Sequence, residues 1–183
     1  MRSADGPASP ASETVKVWDV FVRVFHWSLV VLFAAAFVTS ETSEAAHIYA
    51  GYGVLSLVTV RLIWGLIGTK HARFTSFVFR PSVVLAYMRD AACFRARRYL
   101  GHNPAGGAMV LALLVAVTTT GASGYMMTLD RYWGQKWIEE VHELAAHATL
   151  VMIALHVVGV IFSSIAHREN LVRSMFTGRK RRN

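Results

Sequence analysis

The sequence predicts an all-α membrane protein, a four-transmembrane-helix bundle with an extra amphipathic interfacial helix in its 68–104 loop. Three observations predict it. Of 183 residues, 54% are hydrophobic and only 16% charged, with a mean hydropathy of +0.39, whereas soluble domains carry about 25% charged residues. Four apolar runs reach the length of about 20 residues that a helix needs to cross a hydrocarbon core. The basic residues are concentrated in alternate connections, as in multi-pass membrane proteins.

Residues 1–16 are polar, with Asp5 and Glu13 and no apolar core, so they do not form a signal peptide. They read as a flexible cytoplasmic N-terminus. The first span covers residues 20–38 and holds Arg23 and His26 near its start. The second covers 47–67 and the third 106–128. The fourth, 138–165, is an apolar run interrupted by histidines that a plain anchor would avoid. Short connections at 39–46 and 129–137 make the first two and the last two helices antiparallel neighbours. In the longer 68–104 loop, Pro81 suits a first helical position. Val84, Tyr87, Met88, Ala91 and Phe94 then recur at helical spacing among Arg89, Arg95 and Arg98. That pattern predicts an interfacial amphipathic helix on an anionic leaflet, with an ordinary solvated loop as its rival.

Two Lys or Arg residues lie in 1–19, seven in 68–104 and six in 166–183, against only Arg131 and Lys136 on the other side. The positive-inside rule then puts both termini on the cytoplasmic side, with 179–183 as a basic cytoplasmic tail. This segregation accounts for the net charge of +8 without nucleic acid as a partner. Cys93 is the sole cysteine, which excludes an intrachain disulfide, a thiolate metal cluster and covalent haem attachment.

Ionisable groups at membrane depth suggest function. His142 and His156 are fourteen residues apart. That is nearly four turns, so they share a face about 21 Å apart along the axis. His47 opens span two at the level of His142, and His26 lies early in span one at the level of His156. Each level therefore takes one imidazole from each of two helices, as cofactor sites in four-helix bundles do. Two facing imidazoles supply both axial ligands of a six-coordinate haem b, so the set predicts an outer haem on His47 and His142 and an inner haem on His26 and His156. His147 points away from this face. His71 and His102 fall in the inner loop, where solvation is the default. His167 is nearly in line with His156 and is an alternative inner ligand.

Arg23 and Arg61 are candidates to hold the inner haem's propionates, or else to snorkel. Gly51, Gly53, Gly121 and Gly124 suit either close helix contact or a flat porphyrin. Trp18, Trp27, Trp64, Trp133 and Trp137 cluster near span ends and read as interfacial belts.

These residues resemble the bacterial cytochrome b561 and nickel–iron hydrogenase b-type cytochrome family. The resemblance is carried by Arg23-x-x-His26-Trp27, by His47 before Gly51, and by Val60-Arg61-Leu62-Ile63-Trp64-Gly65. Val141-His142-Glu143-Leu144 and Leu155-His156 complete it, over residues 16–178. It implies a di-haem cytochrome b domain over 17–178 with two non-covalent haems b on His26, His47, His142 and His156. It implies electron transfer between a periplasmic redox partner and membrane quinone, ubiquinone or menaquinone. The Tyr99–Gly107 loop is similar to that of the branch found beside periplasmic c-type cytochromes. The compact extramembrane loops differ from those of hydrogenase-anchoring members. A superoxide:quinone oxidoreductase and a hydrogenase-like membrane haem subunit are alternatives the resemblance leaves open. A haem-free membrane anchor or transporter subunit is the rival from another class.

Overall fold

A computed structural model describes residues 14–182. Most of the expected flexible N-terminus, and Asn183 of the basic tail, lie outside the described residues. In chain order the elements are β1 (Thr14–Lys16), α1 (Val20–Thr39), α2 (Glu44–Ile67), α3 (Pro81–Ala92), α4 (Pro104–Met127), α5 (Lys136–Ala166), α6 (Leu171–Thr177) and β2 (Arg179–Arg181). Helices α1, α2, α4 and α5 are long and apolar enough to cross a membrane. Much of their bulk faces outward, including Val31, Leu66, Val115, Leu144 and Val158. Only a hydrocarbon surround makes such a surface favourable over so large an area.

Helices α1, α2 and α4 begin where a side chain satisfies one of their first amide groups. Asp19 accepts from Val22 N at 2.7 Å, and Asn103 from Gly106 N at 2.6 Å ahead of Pro104 at the first position of α4. Ser43 caps α2, three residues earlier than expected, because its hydroxyl supplies the acceptor there. His47 therefore lies one turn inside α2 rather than at its start.

Packing follows the order α1–α2–α4–α5, with α3 against α4. Val54, Val58, Leu114 and Val117 form the central cluster, covered by Leu29, Leu32 and Phe33. Helix α5 packs chiefly along α4. The expected interfacial helix is present as α3. Tyr87 is buried and Val84 half-buried, whereas Leu85 and Met88 face outward. Phe94 falls beyond its end and meets the Phe162 ring at 5.4 Å.

At the end of the bundle where the described residues begin and end, here the terminal end, β1 pairs antiparallel with β2, with Val15 opposite Lys180. The basic tail is thus part of an ordered cap. Glu169, 7% exposed, accepts from Arg98 Nη2 at 2.9 Å and from Arg181 N at 3.2 Å. Three tryptophans expected in belts belong instead to this end of the core. Trp18 is buried, Trp64 donates to Asp19 Oδ2 at 3.3 Å, and Trp27 stacks on Phe176 at 4.3 Å. Their indoles fill the cap because its residues fold back over the helix ends. Trp133 and Trp137 remain exposed, as a belt requires.

Two stability predictions follow from this packing. A Cβ at Gly107 would run into the Phe77 carbonyl oxygen, which cannot move aside as a side chain could. Gly107→Ala should therefore cost about 1–3 kcal/mol, read as a lower thermal midpoint in detergent. Gly159→Ala, whose Cβ would meet nothing within 4 Å, should not lower it.

The second prediction concerns pH. Burial alone would raise the Glu169 carboxyl, but hydrogen bonds from Arg98 and the charges of Lys180 and Arg98 hold it below the usual range. A depressed carboxyl stabilises the fold above its unfolded pKa, and that contribution is lost as pH falls through its folded value. Wild type should exceed Glu169→Gln by about 1–3 kcal/mol at pH 7. The gap should close as pH drops through and below the ordinary carboxylate range. An unchanged gap at pH 3 would refute this account.

Candidate functional site

The four spans carry their histidines at two levels. At the end away from the termini, His47 of α2 and His142 of α5 bring their ring centroids to 6.0 Å with planes at 89°. An imidazole nitrogen sits about 2 Å from a metal it ligates. Adding the distance from nitrogen to ring centre, two axial imidazoles on one iron have centroids about 6 Å apart. The observed separation fits that arrangement.

Both rings are held from behind. His47 Nδ1 lies 2.7 Å from the Ala36 carbonyl oxygen, and His142 Nδ1 lies 2.9 Å from that of Thr120. A carbonyl only accepts, so each Nδ1 carries the proton and each Nε2 presents its lone pair. This is the second contact that fixes tautomer and orientation in histidine ligands. Ala36 lies in the last turn of α1, where carbonyls lack intrahelical partners. Ser123, 5% exposed, adds an Oγ contact to His142 Nδ1 at 3.3 Å.

The glycines divide between the two roles open to them. Gly53 and Gly121 pack against Leu32 and Leu55, and so serve helix contact. A Cβ at Gly124 would stand 2.9 Å from His142 Cε1, so its absence admits the ring. At Gly51, one turn from His47, a Cβ would meet nothing within 4 Å. Space for a flat group therefore exists on the face His47 occupies.

At the terminal end, His26 and His156 lie within electrostatic reach of each other, both half-buried. His26 packs edge-on against Trp27 at 5.0 Å between ring centres. Its Nδ1 and the Trp27 Nε1 are enclosed without hydrogen-bond partners. His147 is exposed and donates to its own helix at Glu143 O, 2.9 Å away. His167 caps α5 beyond its last helical residue.

Arg23 and Arg61 differ in use. Arg23 Nη1 donates to Phe176 O, tying α1 to α6. Arg61 does not snorkel. It is 3% exposed, donates from Nη2 to Ala72 O at 3.1 Å and lies 5.4 Å from the Phe74 ring centre. Its Nη1 is buried without a hydrogen-bond partner among the described residues.

His102, expected as a solvated loop residue, is drawn inward. Its ring lies between Trp18 at 4.7 Å and Phe77 at 4.8 Å, and its Nδ1 is enclosed and unpartnered. Burial, with Lys180, Arg61, His156 and His71 nearby, pushes its pKa down to about 3. The Gly101–Pro104 turn that caps α4 carries it under the cap, which the sequence alone does not reveal. Thr120, Ser123 and Ala36 were likewise missed. A carbonyl or a helix-bound hydroxyl leaves no mark in a hydropathy pattern.

Residues 17–178 match the family of prokaryotic cytochrome b561, and the chain belongs to that family. It is 22% identical over 222 residues to a probable Ni/Fe-hydrogenase B-type cytochrome subunit of Bradyrhizobium diazoefficiens, covering 97% of this chain and 90% of that protein. A subunit of the same description from Azotobacter vinelandii is 23% identical over 224 residues, with 97% and 93% covered. No solved structure matches it significantly. The chain is a multi-pass membrane cytochrome that binds haem b and transfers electrons.

Proposed function

We propose that this cytochrome moves single electrons across a bacterial inner membrane through two haems b, one on His47 and His142 and the other on His26 and His156. The exchange runs between a periplasmic redox partner and the quinone pool, ubiquinone or menaquinone. The observation that carries this reading is the His47–His142 pair, 6.0 Å apart with both Nδ1–H groups committed to carbonyls. Bound haem b supplies a one-electron iron couple. The chain's own residues decide how it is used. His47 and His142 would hold one haem, and His26 and His156 the other, through their Nε2 lone pairs, which would favour electron transfer over ligand binding at the metal. The carbonyls of Ala36 and Thr120 raise ligand basicity through the Nδ1–H bonds. The apolar spans keep water from the route.

The Lys and Arg asymmetry supports a cytoplasmic position for both termini. The outer haem then faces the periplasm. Around it Glu41, Glu44, Asp130, Glu139 and Glu140 are all exposed. These acids suit a basic partner, such as a c-type cytochrome, by charge complementarity. The names of the relatives favour a second reading, in which the same face meets a hydrogenase-type subunit.

Difference spectra of the purified protein should show Soret and α bands, with two haems per chain. His26→Ala and His156→Ala should each remove one and the same haem, and His47→Ala and His142→Ala the other. Redox titration that groups His26 with His142 would refute the pairing. Gly124→Val should crowd His142 and reduce occupancy of the outer haem alone, on the order of tenfold in haem affinity, with the inner midpoint unmoved.

A further inference from the structure

Besides His26 Nδ1 and Trp27 Nε1, two more buried nitrogens at the terminal end lack hydrogen-bond partners among the described residues, and they come from different elements. Arg61 sits near the end of α2 with its Nη1 enclosed, and His102 immediately precedes the cap of α4 with its Nδ1 enclosed. Each is held firmly by its other contacts. The Ala72 carbonyl fixes the Arg61 guanidinium, and the Trp18 and Phe77 rings clamp the imidazole. Both are therefore aimed by their surroundings and are not idle surface groups. The two lie within electrostatic reach of each other, and His102 lies within reach of His156 and Lys180.

The charges nearby are out of balance. Arg61 has no ion-pair partner among the described residues. Asp19, the nearest acid acting on it, already accepts from Val22 N, Trp64 Nε1 and Thr69 Oγ1. Glu169 is taken up by Arg98 and the Arg181 amide. Lys180 is 6% exposed and adds a further cation, its Nζ 5.7 Å from the Trp18 ring centre, donating to the Tyr99 carbonyl oxygen at 3.5 Å and within electrostatic reach of Glu169. Buried charges in proteins are paired or bound to an ion. Two unused donors beside two buried cations, with the acids in reach already accepting hydrogen bonds from other groups, call for an anion with hydrogen-bond acceptors. Haem b brings two carboxylates, and a guanidinium with a free N–H matches that chemistry.

We propose that Arg61 and His102 together receive the carboxylates of the inner haem, with Arg61 Nη1 and His102 Nδ1 as donors and Lys180 as the charge behind them. This rests on placing that haem on His26 and His156. It makes His102 a positioning residue, acting on the cofactor through its carboxylates rather than through the iron. Removing a donor or a positive charge exposes more of the carboxylate charge to the iron. That disfavours the reduced state.

The test uses the full-length haem-loaded protein, titrated by spectroelectrochemistry and examined by resonance Raman. His102→Phe keeps a ring between Trp18 and Phe77 but has no donor, while His102→Gln keeps one. Arg61→Leu and Arg61→Lys make the same contrast. His102→Phe and Arg61→Leu should each lower the inner midpoint by about a tenfold change in the oxidised-to-reduced ratio, 59 mV for one electron. They should also shift the propionate bending bands. The outer midpoint should stay put, and His102→Gln and Arg61→Lys should recover most of the effect. An unmoved inner midpoint and unmoved propionate bands in a two-haem protein would overturn this inference alone. Loss of quinol-driven reduction with both unmoved would overturn it too, assigning the pocket to the quinone. A wild type without haem would overturn it together with the functional reading.

Discussion

The donation of His142 Nδ1–H to the Thr120 carbonyl, matched by His47 to Ala36, is the interaction on which the site's geometry depends. In hydrocarbon an imidazole without a partner is costly, and rotating either ring gives up its carbonyl. Each ring is thereby held in place, the two centroids 6.0 Å apart. Gly124 and Ser123 act through the same ring, one by leaving room and the other by contact. Helix packing then follows: α5 leans on α4, which supplies the Thr120 carbonyl, and meets α2 through the His47–His142 ring pair.

The terminal end is organised on another principle. Here polar groups are numerous, and a two-stranded pairing of the chain ends gathers them. Glu169 with Arg98, Asp19 with Trp64 and Thr69, and Arg23 with the end of α6 form a network that covers the start of α1 and the end of α5. The inner histidines sit directly beneath it. The cap therefore decides which donors face the membrane interior and which face out. Arg61 and His102 are among those turned in.

The two ends suit different exchanges. One offers an exposed acidic rim outside a tightly held imidazole pair. The other offers a buried cationic pocket under a folded cap. The relay proposed above, between a soluble partner and a lipid-borne one, would use this asymmetry.

Hydropathy, Lys and Arg placement and histidine spacing determined the class, the four spans, the interfacial helix and the family, because length and periodicity in a bilayer leave few alternatives. The pairing of His47 with His142 was legible for the same reason, since helix rise converts residue number into depth. What supports those imidazoles was not legible. Backbone carbonyls are the same at every position, and only packing says which one meets a ring. The cap, the inward turn of His102 and the burial of Arg61 likewise came from contacts between residues as distant as Thr14 and Arg181. No local pattern encodes such pairings, and only the tertiary structure decided them.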